Sequence, residues 1–176
     1  ALKDPVVDDA TLMRLGSVKE VAGLGKFPGR LDRCRANAIP AVGPVAILLQ
    51  AGTDEKRTIA DLRTCVANVA AVVPVDLYVS TMDGVTVSKW DDVPYLKSTT
   101  HTSHPNRGAD FKPFYEQLIH INWLKREYGI VLKLHTKTNP EWRDLMLNAM
   151  CGTPSQVRAV LHHFSTDAQL AMISSS

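Results

Sequence analysis

Residues 44–80 read PVAILLQAGTDEKRTIADLRTCVANVAAVVPVDLYVS, and three patterns follow one another within them. Residues 45–49 are a short unbroken apolar run, as expected of a strand covered on both faces. Thr53 then stands as an N-cap before Asp54 and Glu55, whose charge suits the positive end of a helix dipole. Ile59, Leu62, Val66, Val69 and Val73 recur at helical spacing, Pro74 ends the pattern, and residues 75–80 read as a second strand. Strand, helix and strand over this length form a βαβ unit, which requires a parallel pair joined by a right-handed crossover.

Toward the C-terminus the alternation continues. Phe111, Phe114, Leu118, Ile121 and Leu124 mark one face of a helix. Residues 130–135 follow as a strand, with Ile130, Leu132 and Leu134 on one face and Val131, Lys133 and His135 on the other. Asn139-Pro140 supplies an N-cap and a first-turn proline, and Gly152 supplies a stop. Thr153 and Gln156 form a capping box before a helix with Val157, Val160, Leu161 and Phe164 inward. Residues 170–174 read as a last strand. In the middle, Asp83-Gly84 is either a hairpin turn into residues 85–87 or the loop leaving a parallel strand. The expected fold class is α/β, a Rossmann-like, mostly parallel sheet flanked by helices over residues 43–176. Residues 1–42 form a lead-in with one short helix over 9–21 and a glycine-rich loop that misses the dinucleotide fingerprint.

Composition narrows the function classes. The chain has 176 residues, 20 basic and 18 acidic, for a formal charge of +2, which is no electrostatic footprint for nucleic acid. No apolar run approaches the length of a membrane span. Cys34, Cys65 and Cys151 are dispersed and odd in number, which argues against disulfides and a structural zinc site and points to a reducing, cytoplasmic setting. No phosphate-binding P-loop, HExxH or G-x-S-x-G motif is present. His101 and His104 lack a third metal ligand nearby and read as surface residues.

Two stretches are more specific than periodicity explains: Asn106-Arg107-Gly108-Ala109-Asp110-Phe111-Lys112-Pro113-Phe114, and Val131-Leu132-Lys133-Leu134-His135-Thr136-Lys137-Thr138 followed by Trp142-Arg143. In this order they resemble the rhamnan synthesis F family of glycosyltransferases, over a region running from about residue 45 to the C-terminus. The resemblance implies a GT-A-like domain that transfers rhamnose or a similar sugar from a nucleotide-sugar donor to a saccharide acceptor in cell-surface polysaccharide assembly. It also implies that the family domain continues past Ser176. The alternative from another class is a non-catalytic nucleotide- or saccharide-binding module of the same fold.

A doubly wound sheet binds ligands at the carboxyl ends of its strands, so residues 50–53, 81–83 and 135–138 are expected to converge. Thr81 and Asp83 stand where the donor's ribose and base need acceptors, unless Asp83 is only a turn residue. Asn106, Arg107, Lys133, His135, Lys137 and Arg143 are the candidates for the diphosphate. Lys133 either snorkels from an edge strand or meets an anion, and the anion is the preferred reading because His135 and Lys137 follow on its side. Asp110 is the candidate catalytic base, its bland role being a helix cap. Trp142 reads first as a core anchor and second as a sugar platform. Arg143 reaches a phosphate or pairs with Glu141 or Asp144. GT-A enzymes with a D-x-D motif hold a divalent ion there, but no two aspartates here stand two positions apart. The comparable strand ends in His135-Thr136-Lys137, whose ammonium repels a cation. No bound cofactor and no divalent metal are therefore expected.

Overall fold

The computed structural model describes residues 43–105, 111–167 and 169–174. The expected lead-in over residues 1–42, with its helix, lies outside them, as do Asn106, Arg107 and Asp110. Strand β1 (Val45–Ala51) is buried along its whole length because it is an interior strand. Its neighbours are β2 (Val75–Met82) and β4 (Ile130–His135), and β3 (Leu96–His104) lies beyond β2. All three pairings are parallel, in the order β3-β2-β1-β4. The α/β reading with a mostly parallel sheet therefore holds.

The sheet's two faces differ in chemistry. On one, Val45, Ile47 and Leu49 of β1, Val75, Leu77 and Val79 of β2, and Leu134 of β4 join a continuous apolar core. Helix α1 (Lys56–Ala70) closes this core with Ile59, Leu62, Val66 and Val69, and Val73 follows just beyond the helix. Helices α3 (Pro140–Cys151) and α4 (Pro154–Thr166) pack on α1 and add Leu147, Val157 and Leu161. On the other face, helix α2 (Phe111–Trp123) covers a smaller cluster of Ala46, Leu48, Tyr78 and Ile121. The same face buries the Asp76 carboxylate, which accepts from Tyr128 Oη (2.8 Å) and the Ser98 hydroxyl. Burial and the neighbouring Tyr78 hydroxyl hold the Tyr128 hydroxyl well above its ordinary range.

Several boundaries differ from the sequence reading. Helix α1 begins at Lys56, and its cap is Glu55 rather than Thr53: the Glu55 carboxylate accepts from the Arg57 and Thr58 N–H groups. A bond from the Thr58 hydroxyl, together with those two, favours the ionised form and lowers the Glu55 pKa. At Asp83-Gly84 the chain forms a turn (Val85 N–H to Met82 O, 2.9 Å) with Gly84 at φ +85°, and residues 85–87 form no strand. The strand on the outer side of β2 is β3, and its sequence, LKSTTHTSH, carries no apolar alternation because it is an edge strand covered only in part. The strand expected over residues 170–174 is not formed; Met172 is 79% exposed and contributes nothing to the core.

The cysteine reading is also corrected. Cys65 on α1 and Cys151 at the end of α3 form a disulfide, with Cα atoms 5.0 Å apart. Helix packing brings together residues 86 apart in sequence, a pairing that dispersed cysteines do not advertise. Disulfides persist in oxidising compartments, so the reducing, cytoplasmic expectation loses the argument on which it rested. Among the described residues no helix is long and apolar enough to cross a membrane. Reduction, or a paired Cys65→Ala and Cys151→Ala change, is expected to cost about 2–4 kcal/mol of stability in urea titrations. Rapid alkylation of Cys65 in the unreduced protein would contradict the bond.

Candidate functional site

Because the strands are parallel, β1, β2 and β4 deliver their following loops to one edge of the sheet. Thr136 stitches two of these loops together: its N–H donates to Gln50 O (3.0 Å), and its hydroxyl accepts from the Gly52 N–H (2.9 Å). A Cβ at Gly52 would lie 3.3 Å from Thr136 Oγ1 and 3.6 Å from Met82 Cε, so glycine permits the close approach of all three loops. The convergence expected of residues 50–53, 81–83 and 135–138 is therefore present. Chain connectivity reverses between β1 and β4, which makes the edge between their loops the topological switch point.

Arg143 fixes this edge from below. Its Nε donates to Asp61 Oδ2 (2.7 Å), and its Nη1 donates to Thr58 Oγ1 (2.9 Å) and Lys137 O (3.0 Å). One guanidinium thus ties the first half of α1 to the loop after β4. It is 3% exposed, and neither Glu141 nor Asp144 is its partner. Asn139 caps α3 as expected, accepting from the Trp142 N–H (3.0 Å). The resulting phase places Arg143, Leu147 and Cys151 inward, four residues apart, and leaves Trp142 60% exposed. Trp142 is therefore no core anchor; its ring lies 5.8 Å from the Lys137 ammonium.

The face under α2 carries a polar row across all four strands. Thr102, Ser80, Gln50 and His135 stand in register from β3 to β4. Ser80 is fully buried, and its hydroxyl has no hydrogen-bond partner among the described residues. From α2, Gln117 reaches down to Tyr78 O (2.9 Å) and Leu49 O (3.4 Å). Beside the row opens a cleft of about 300 Å³ whose lining includes Tyr78, Thr102, His104, Glu116 and Gln117. There, His104 Nδ1 contacts the Glu116 carboxylate and Nε2 lies 3.2 Å from Thr102 Oγ1. A carboxylate that orients an imidazole against a hydroxyl is the arrangement of a general base. Sequence alone reads His104 as a surface residue, because Glu116 becomes its neighbour only when α2 folds over β3.

The remaining candidates fall as follows. Thr81 Oγ1 lies 3.4 Å from Thr102 O, and Asp83 accepts from the Ser103 hydroxyl (2.8 Å) at the cleft's rim. Lys133 lies on the edge strand β4 with its ammonium 4.8 and 5.2 Å from the Phe111 and Phe114 rings, a cation–π seat. Lys137 and His135 belong to the switch-point edge. Among the described residues no three His, Cys, Asp or Glu side chains converge as a metal site.

Comparison of the chain with models of protein families, with curated proteins and with solved structures gives no match. The resemblance to the rhamnan synthesis F family thus stands on the two motifs alone. Arg143→Lys keeps the charge but not the fork that serves three partners. It is expected to lower stability by about 2–3 kcal/mol in urea titrations, and a change below about 0.5 kcal/mol, the scale of an ordinary surface substitution, would refute the clamp.

Proposed function

We propose that this chain is a GT-A-like glycosyltransferase domain that moves a sugar, rhamnose or one similar, from a nucleotide-sugar donor to a saccharide acceptor. The observation that carries this reading is the meeting of the loops after β1, β2 and β4 at the carboxyl edge, where doubly wound sheets take nucleotides. The motif pair around Asp110 and Lys137 adds the sugar-transfer chemistry. The donor's diphosphate lies over residues 135–138, with Lys137 and His135 as its nearest cations and donors, and Lys133 and Arg107 as further ones. Asp83 and Thr81 serve the ribose and base, and Asn106 is a further donor-binding candidate from its sequence motif. Arg143 serves indirectly, by holding the Lys137 carbonyl.

In the chemical step the acceptor oxygen bonds to the anomeric carbon as the bond to the diphosphate breaks. The electron pair leaves on the diphosphate, where fixed positive charge stabilises it. The acceptor's proton passes to a base, for which Asp110 is the candidate from sequence. His104, oriented by Glu116, is equipped for the same task among the described residues. No divalent ion enters this account, because the Lys137 ammonium supplies positive charge at the strand end and opposes a cation there.

Titration calorimetry with a panel of nucleotide sugars, followed by assay of released nucleoside diphosphate, tests the proposal. Binding with release supports it; binding without release favours the non-catalytic module; a panel with no binding refutes both. Lys137→Ala removes a charged hydrogen bond worth about 1.5–3 kcal/mol and is expected to weaken donor binding about 10- to 150-fold. EDTA is expected to leave affinity unchanged. Loss in EDTA restored by manganese would overturn the metal-independent account.

A further inference from the structure

Helix α2 is apolar on two sides, one toward the sheet and one toward solvent. Its buried positions are Pro113, Gln117 and Ile121. Its outward positions are Phe111, Tyr115, Ile119 and Trp123, which are 70%, 66%, 60% and 75% exposed. Phe114 and Leu118, partly buried, also pack on the cluster under the helix, so α2 carries a second, exposed apolar stripe besides the one that covers the sheet, which an ordinary amphipathic helix does not. We infer that this stripe is the contact face of a homodimer, in which α2 packs on α2 of a second copy across a two-fold axis.

The spacing favours a second copy. The four side chains recur every fourth residue, so they form one unbroken ridge of the kind that packs into the groove of a facing helix at about −50°. The ridge is also symmetric about position 117. An antiparallel partner therefore sets Tyr115 against Ile119 at the crossing, and the larger Phe111 and Trp123 rings fill the gap where the helices diverge. A two-fold interface demands this self-complementarity. The charge pattern agrees: the lysine and carboxylate of α2, Lys112 and Glu116, pair with each other at 3.7 Å. A helix made for an anionic lipid surface carries a strongly basic polar face instead.

The size of the patch sets the expected strength. Three aromatic rings and an isoleucine at these exposures offer about 500 Å² per copy, hence about 1,000 Å² for the pair, the lower bound of a specific interface. The dimer is therefore expected to dissociate between about 1 and 100 μM.

Sedimentation of the full chain across that range is the test. A monomer–dimer equilibrium is expected, and Ile119→Glu or Tyr115→Lys alone should each weaken it at least about tenfold. Both residues are exposed, so circular dichroism should show unchanged folding in each variant. Combining Tyr115→Lys with Ile119→Glu sets a new ammonium against a new carboxylate of the second copy twice, once on each side of the axis. That double variant should dimerise more tightly than either single one. A protein monomeric throughout overturns the inference, including one that binds phosphatidylcholine vesicles instead. So does a dimer indifferent to both single substitutions, or a double variant no tighter than the singles.

Discussion

One buried guanidinium, that of Arg143, decides how the carboxyl edge of the sheet is arranged. It satisfies the Asp61 carboxylate, the Thr58 hydroxyl and the Lys137 carbonyl at once. Thr58 in turn donates to Glu55, the cap of α1, so the start of that helix, the start of α3 and the loop after β4 form one connected unit. Such a charge is tolerated at 3% exposure only because its partners are placed for it. Its consequence is a loop held in place at the point where the strand order reverses.

The rest of the molecule divides around that edge. The face under α1, α3 and α4 is an apolar core strapped by the Cys65–Cys151 disulfide, and it supplies rigidity. The face under α2 trades apolar packing for hydroxyls, amides and imidazoles: Ser80, Thr102, Gln50, Gln117, His104 and His135. Burying a polar row costs stability unless each group is bonded. The sheet is thus apolar on one side and polar toward the end of its strands on the other.

How much of this is legible in the residues alone follows from their physics. The β1-α1-β2 unit is readable because its strands are covered on both sides and its helix has one apolar stripe, so the periodicities are clean. Strand β3 is not, because an edge strand of Ser, Thr and His obeys no burial pattern. Convergence of residues 50–53, 81–83 and 135–138 is accessible, since parallel strands must deliver their loops to one edge. The roles of Trp142 and Arg143 are not, because a one-residue difference in helix phase exchanges inside for outside. Pairings created only by helix packing, Cys65 with Cys151 and His104 with Glu116, carry no local spacing signal.

The proposed function requires a diphosphate to bind across the loops after β1 and β4. Titration of a nucleoside diphosphate into isotope-labelled protein, followed through backbone amide resonances, tests it most directly. Shifts are expected at residues 51–53 and 136–138, saturating together and diminished in Lys137→Ala. Saturable shifts confined elsewhere, or none at millimolar nucleotide, would contradict it.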